Sequence, residues 1–319
     1  MTLLGGTAAW ALPSSAQQPT KVARIGFLGP GSASGAVASI EGFQAGLRDL
    51  GWVAGKNIVI EYRWAENDYD RLPQLAAELV RLNVDVLVTL AIPGVLAAKQ
   101  ATTTIPIVMA HSGGAVRLGL VASLNRPGGN VTGNTLFIPE LNAKRLDLLK
   151  EALPGSSRVG VLFNPNNPAS PALLGTMGLT AKSLNLELPQ FEARRPDEFA
   201  GAFSAMATRR VDAVVVVDDP VMVTNVEPIV ELVTVRRLPS IGFLELAQAG
   251  GLMAYGVDFV ESFRHAAVFV DKILKGAKPD ELPVEQPTRF KFVINLKAAK
   301  ALGLTIPYLL SGRADEVIE

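Results

Sequence analysis

Short runs of β-branched and aliphatic residues alternate with segments whose apolar residues recur every three or four positions, from Lys21 to the end of the chain. Such runs are typical of buried strands, and such segments of amphipathic helices. In the first pair, "ARIGFLG" is the strand, and Phe43 and Leu47 follow at helical spacing before Gly51, a residue type that commonly ends a helix. Regular alternation of this kind predicts an α/β fold, with parallel sheets covered by helices on both faces.

The alternation runs through the chain twice. It predicts five strands up to the "NVTGNT" segment, and it begins again with a helix after Phe137. A chain of 319 residues is also too long for one small core, so we expect two lobes. A helix after Asp258 and a last strand and helix must still pack somewhere, which indicates that the lobes exchange chain more than once.

Composition excludes several classes of protein. Lys plus Arg and Asp plus Glu both number 30, so the basic excess that binds a phosphate backbone is missing and we expect no nucleic-acid partner. The chain has no cysteine, which excludes disulfides and thiolate chemistry. Hydrophobic residues make up 49% of the chain, but no internal apolar run approaches the roughly 20 residues of a spanning helix, so we predict a water-soluble protein.

Residues 1–20 have a different composition. Their sequence combines an apolar, Ala-rich stretch with small residues at Ser14 and Ala16, the spacing that a signal peptidase accepts. We interpret this segment as an export signal cleaved after Ala16, although the basic residues that normally precede such a stretch are missing. The alternative is a disordered, Ala-rich tail.

The loop after the first predicted strand is rich in glycine. Its pattern between Gly29 and Gly35 is G-x-G-x-x-x-G, one residue longer than the dinucleotide fingerprint, and no G-K-[S/T] follows for a P-loop. A strand end that opens into a helix still presents free backbone N–H groups, with Ser32 and Ser34 as further donors. The loop therefore suits a carboxylate as well as a phosphate, and its alternative role is a plain connection between strand and helix.

Ligands of open α/β sheets bind beyond the carboxyl ends of the strands. Those ends carry the loops "GPGSAS", "LAIPG", "AHSGG", "NPNNP", "VDDP" and "GFLE". The chain has neither a G-x-S-x-G elbow nor an H-E-x-x-H motif, so we predict no catalytic and no metal-binding residues. Asp218 and Asp219 are adjacent on an extended chain and point to opposite faces, so we expect one to face the cleft and the other to cap the next helix.

Two stretches are more specific than the general pattern, "SLNRPGGNVTG" and "PVEQPTRFKFVINLKAAKALGLTIP". They resemble the substrate-binding proteins of an ABC transporter family that includes tryptophan- and tyrosine-binding receptors, and the resemblance extends from Lys21 to Glu319. It implies the type I periplasmic-binding fold, in which two Rossmann-like lobes are joined by three crossover strands. The implied limits are residues 1–20 for the signal, 21–136 plus 259–287 for the N-terminal lobe, and 137–258 plus 288–319 for the C-terminal lobe.

The same resemblance implies a function. The protein would be a monomeric periplasmic receptor without a cofactor, which captures an amino acid or a small carboxylate, aromatic or not, by hinge closure and delivers it to a membrane permease. Mapped onto the strand-end loops, the expected ligand contacts are Ser32, Ala33, Ser34, Ala91, Ile92, His111, Ser112, Asn164, Asn166, Asp218, Phe243 and Tyr255. Related sequences commonly carry polar residues where this one has Ala91 and Ile92, so anchors for an α-amino group are fewer.

Three other classes share this architecture. A Rossmann-type nucleotide-dependent enzyme is the main alternative, and a membrane-associated sensor ectodomain is another. A repressor core would need a helix-turn-helix of roughly 50–60 residues ahead of the first lobe, whereas 21 residues precede Val22, so we do not expect a repressor.

Overall fold

The computed structural model describes residues 22–319, so the predicted export signal and its cleavage site after Ala16 lie outside the described residues. Within that range the strands are β1 (Ala23–Gly29), β2 (Ile58–Trp64), β3 (Val86–Thr89), β4 (Ile107–Gly113), β5 (Val131–Leu136), β6 (Val159–Phe163), β7 (Gln190–Glu192), β8 (Ala213–Val216), β9 (Ser240–Gly242), β10 (Met253–Gly256), β11 (Lys291–Asn295) and β12 (Glu316–Ile318).

The strands form two sheets. The first has the order β2-β1-β3-β4-β5 and is parallel throughout. The second has the order β12-β11-β10-β9-β8-β6-β7 and is parallel except where β10 pairs with β11. Central strands such as β3, β6 and β8 are buried along their whole length. Burial on both faces explains why their sequences are continuous apolar runs rather than alternating ones.

Helices cover both faces of each sheet. Those of the described range are α1 (Val37–Asp49), α2 (Leu72–Arg81), α3 (Ala91–Ala101), α4 (Ile138–Ala152), α5 (Ser170–Ser183), α6 (Phe199–Thr208), α7 (Pro220–Val223), α8 (Val226–Val235), α9 (Leu244–Gln248), α10 (Phe259–Leu274), α11 (Leu296–Leu302) and α12 (Tyr308–Ser311). The predicted α/β class with two parallel-sheet lobes is confirmed.

The chain passes between the two sheets three times: between β5 and α4, between β10 and α10, and ahead of β11. The second passage places α10 against α1 of the first lobe, where Phe43 and Phe263 share one buried cluster. The segment after α10 then runs beside β5, because the N–H of Glu285 donates to the carbonyl of Gly133 at 2.9 Å. Each lobe is therefore assembled from separate stretches of chain.

Of the helices between residues 22 and 319, none is both long enough and apolar enough to cross a bilayer.

Candidate functional site

A cavity lies between the carboxyl ends of the two sheets, and both lobes line it. Its walls are mostly apolar and include three aromatic side chains, those of Trp64, Phe259 and Phe263. The enclosed space is about 60 Å³. This is small for a ligand site, because a cavity that admits benzene measures roughly 150 Å³.

Five of the residues predicted to contact a ligand line this cavity: Ala91, Ile92, His111, Ser112 and Asp218. Ala91 and Ile92 do not lie in a loop, because α3 begins at Ala91 itself. Ala91 has a positive φ of 52°, a left-handed conformation that lets the strand turn directly into the helix. The first turn of α3 consequently faces the space between the lobes.

The glycine-rich loop lines the cavity with other residues than predicted. Gly31 and Gly35 border it, whereas Ser32, Ala33 and Ser34 do not. The Ser32 hydroxyl accepts from the N–H of Gly35 at 3.3 Å and lies 3.4 Å from the Ser34 hydroxyl, so these serines stabilise their own turn. Ala33 is exposed to solvent.

Four more predicted contacts lie outside the cavity lining. Asn164 is buried and its side chain accepts from the N–H of Asn166, which is itself exposed. Phe243 is a core residue of the second lobe. Tyr255 stacks on Phe290 with ring centroids 6.0 Å apart. A position at a strand end brings a residue near the cleft, but the side-chain direction decides whether it reaches the cavity.

Asp218 is held in a buried ion pair at the cavity wall. The two terminal guanidinium nitrogens of Arg145 donate to it, at 2.5 and 2.9 Å, and the amide of Asn142 donates at 3.4 Å. The Arg145 side chain is 0% exposed and that of Asp218 7%. Arg145 also donates through Nε to the carbonyl of Tyr255 at 2.8 Å. The charge of Asp218 is therefore neutralised within the protein.

Asp219 also borders the cavity and has four donors. Asn164 and Asn167 donate at 3.3 and 2.8 Å, and the N–H of Val221 donates at 3.0 Å. Asp219 is therefore the one of the two adjacent carboxylates that caps α7, although both border the cavity. The fourth donor is the hydroxyl of Tyr69, at 2.8 Å, which belongs to the first lobe. Burial raises the pKa of Asp219, while these hydrogen bonds oppose the rise.

Polar contacts and close packing join the two lobes over the cavity. The hydroxyl of Thr224 donates to the side-chain carbonyl of Asn67 at 3.1 Å, and the amide of Asn225 donates to the same oxygen at 3.3 Å. Gly35 lies so close to Thr224 that a Cβ on the glycine would sit 2.2 Å from the threonine carbonyl oxygen. The Tyr69 phenol is buried against Asp219, and burial raises the pKa of Tyr69, with the Asp219 charge adding to the rise. The structure is thus the closed arrangement of the lobes.

His111 and Ser112 place polar atoms without a protein partner at this cavity. The buried Nδ1 of His111 and the buried Oγ of Ser112 have no hydrogen bond within the described chain. The His111 ring stacks on Phe259 with centroids 4.5 Å apart and meets the edge of Phe263. Burial lowers the pKa of His111 to about 4, against a smaller opposing effect of Asp218, so the ring is neutral near pH 7.

Several residues of the site were missed by the sequence analysis. Trp64 ends a predicted strand and could have been found by the same strand-end argument that selected His111. Arg145 lies in a helical segment rich in charged residues, which is typical of a solvated face, so nothing local indicated its burial. Tyr69 and Thr224 contact the other lobe, and no sequence pattern shows how two lobes face each other.

Across residues 22–319, no group of three or more His, Cys, Asp or Glu side chains is arranged to hold a metal ion.

Two α/β lobes that exchange chain three times and close on a cavity at the strand ends have the architecture of the type I periplasmic binding proteins. The chain belongs to the family of ABC transporter substrate-binding proteins, whose model matches residues 25–318. Members of this family are extracytoplasmic binding proteins and not enzymes. The resemblance found in the sequence is confirmed, and the solute-binding prediction is favoured over a nucleotide-dependent enzyme.

Individual relatives support the same assignment. The chain is 28% identical over 265 residues to a tyrosine-binding protein from Clostridioides difficile, covering 83% of this chain and 76% of that protein. The crystal structure of a conserved domain protein from Vibrio cholerae is 29% identical in sequence, with a TM-score of 0.86, and the match covers 93% of this chain and 100% of that one. The crystal structure of an ABC domain from Streptococcus pneumoniae in complex with L-Trp is 27% identical in sequence, with a TM-score of 0.84, and the match covers 93% of this chain and 99% of that one.

Proposed function

We propose that this protein is the periplasmic receptor of an ABC importer, which binds a small ligand between its lobes and delivers it to a membrane permease without changing it chemically. The two units that close are residues 21–136 plus 259–287 and residues 137–258 plus 288–319. The protein acts as a monomer and requires no cofactor.

The observation that carries this proposal is the set of contacts across the cavity. Tyr69 meets Asp219, and Asn67 meets Thr224, only when the lobes are together. A ligand that touches both walls adds its own contacts to this closed state and shifts the equilibrium toward it. A permease that recognises the closed form would then be able to distinguish a loaded receptor from an empty one.

The cavity walls indicate the kind of ligand. Trp64, Phe259 and Phe263 offer aromatic surface, and similar proteins bind tyrosine or L-Trp, so we propose a small ligand that contains an aromatic ring. An aromatic amino acid and an aromatic carboxylate both fit this description. Because the cavity is only about 60 Å³ in this structure, such a ligand must enter while the lobes are apart, and the cavity walls must then close less tightly around it than they do here.

A thermal-shift screen of the chain from Gln17 onward tests the proposal. The panel contains amino acids, aromatic and aliphatic carboxylates, and nucleotides, and each hit is followed by small-angle X-ray scattering. A ligand that binds the native state alone raises Tm, and a ligand that closes the lobes prevents them from sampling open, more extended shapes. We expect a hit among the aromatic amino acids or carboxylates. Stabilisation by a nicotinamide or other nucleotide alone would contradict the receptor function and favour the enzyme.

A further inference from the structure

The two carboxylates that border the cavity already have partners within the protein, and this restricts the ligand beyond the function proposed above, on which the following inference depends. Asp218 and Asp219 are the acidic residues of the lining, which contains neither lysine nor arginine. Asp218 is neutralised by Arg145, and Asp219 receives four hydrogen bonds, about as many as a carboxylate can accept.

An α-ammonium group would find no carboxylate without protein partners in this cavity. Asp219 has no cationic partner, but four neutral donors already occupy its oxygens. To pair with Asp218, the ammonium group would have to compete with the bidentate guanidinium of Arg145, which is itself fully buried. Binding an ammonium group elsewhere in the apolar lining removes its hydration without replacing it, which is strongly unfavourable.

Hydrogen-bond donors, in contrast, are available. The hydroxyl of Ser112, a residue that is 0% exposed, has no partner, and neither has Nδ1 of the neutral His111, which donates when the ring carries its proton on that nitrogen. The eleven-residue helix α3 starts at the same wall and has no side-chain cap. The N–H groups of its first turn have no partner within the helix, although Pro93 contributes none. A helix N-terminus also carries partial positive charge, so the three features together suit an anion.

We propose that the ligand is an aromatic monocarboxylate that carries no α-ammonium group, bound with its ring against Trp64, Phe259 and Phe263 and its carboxylate toward Ser112, His111 and the start of α3. The ring fills the apolar part of the cavity, and the carboxylate takes the donors that the protein leaves without partners. The receptor selects an aromatic acid over the amino acid with the same side chain, because the cavity offers partners for the carboxylate but none for the α-ammonium group.

Matched ligands that differ in one group test this selectivity by isothermal titration calorimetry. L-Phenylalanine is compared with 3-phenylpropionate, and L-tryptophan with indole-3-propionate; 3-phenylpropionamide replaces the carboxylate by a neutral group. We expect each acid to bind at least tenfold more tightly than its amino acid, and 3-phenylpropionate at least tenfold more tightly than its amide, a difference of about 1.4 kcal/mol at 25 °C. Equal or tighter binding of the amino acids, or equal binding of the amide, would overturn the inference.

Two serine-to-alanine variants, one at the cavity and one at the surface, test where the carboxylate binds. Ser112→Ala should weaken the binding of the acid about tenfold and reduce its advantage over the amide, whereas Ser183→Ala, at an exposed position of α5, should leave both affinities unchanged. Unchanged selectivity in Ser112→Ala would overturn the assignment of this subsite. If none of the aromatic acids binds but an amino acid or an aliphatic carboxylate of the screen does, this inference fails while the receptor function stands. If no compound of the panel binds, or only a nucleotide does, the proposed function itself fails.

Discussion

Replacing Asp218 by Asn should destabilise the protein as well as perturb the cavity. From the sequence alone, Asp218 is expected to contact the ligand. In the structure its first partner is the guanidinium of Arg145, which is 0% exposed. Asp218→Asn keeps the shape of the side chain but leaves this guanidinium without its counter-charge in a place that water does not reach.

The expected cost follows from that burial. Removing one partner of a buried ion pair typically costs about 3–5 kcal/mol, because the remaining charge is uncompensated. At roughly 2 °C per kcal/mol for a chain of this size, Tm of the ligand-free protein should fall by about 6–10 °C.

The effect is measured by calorimetry or urea unfolding of the wild type and three variants. The variants are Asp218→Asn, the double change Asp218→Asn with Arg145→Met, and, as a matched control, Glu151→Gln. Glu151 pairs with Arg313 at 2.8 Å, but these side chains are 44% and 51% exposed, so its loss should cost less than about 1 kcal/mol. The double variant should recover part of the loss, because it removes the unpaired charge.

A loss below about 1 kcal/mol in Asp218→Asn, equal to that of the surface control, would refute the argument. It would mean that Arg145 reaches water or another carboxylate once Asp218 is gone. The pair could then not keep Asp218 from binding an α-ammonium group, and the argument for an aromatic acid would lose its first step.

Three further predictions concern closure and pH. Gly35→Ala should abolish tight ligand binding, because its Cβ would meet the Thr224 carbonyl oxygen at 2.2 Å in the closed state, whereas Gly178→Ala, with nothing within 4 Å, should bind normally in the same titration. Tyr69→Phe removes a hydrogen bond between the lobes and should weaken ligand binding by about 1–2 kcal/mol. Tyr308→Phe, at a side chain that is 85% exposed, is the control. If Tyr69→Phe binds the ligand as tightly as the wild type, this hydrogen bond does not favour closure. Burial raises the pKa of Glu245 from 4.5 to about 7, so its ionisation makes the folded state less stable as the pH rises through that window, by up to roughly 3 kcal/mol. Burial lowers the pKa of His111 from 6.5 to about 4, so its contribution has the opposite sign and stability is lost as the pH falls through that range. Glu245→Gln should therefore lose more stability than the wild type between about pH 7 and pH 5 in urea unfolding, and parallel pH profiles would contradict this.

The fold was predictable because its determinants are local. Fully buried strands give continuous apolar runs, and the helices between them keep a recognisable period, as in β8 and α10. The rule that ligands bind beyond strand ends also located His111, Ser112 and Asp218 at the cavity.

The remaining features of the site depend on distances that a sequence does not contain. The position of Ser32 and Ser34 suggested ligand donors, but their hydroxyl groups bond within their own turn. The pairing of Arg145 with Asp218 joins residues 73 positions apart. The contact of Tyr69 with Asp219 further requires the relative orientation of two lobes, which no periodicity expresses.

The exchange of chain between the lobes has a consequence for how the protein is made. The first lobe lacks its packing partner for α1 until α10 has been synthesised, and the second sheet lacks β11 and β12 until the last residues of the chain are available. Neither hydrophobic core can therefore be completed during most of translation. During synthesis such a chain exposes apolar surface for longer than one whose domains follow each other in sequence, and exposed apolar surface of this kind favours aggregation.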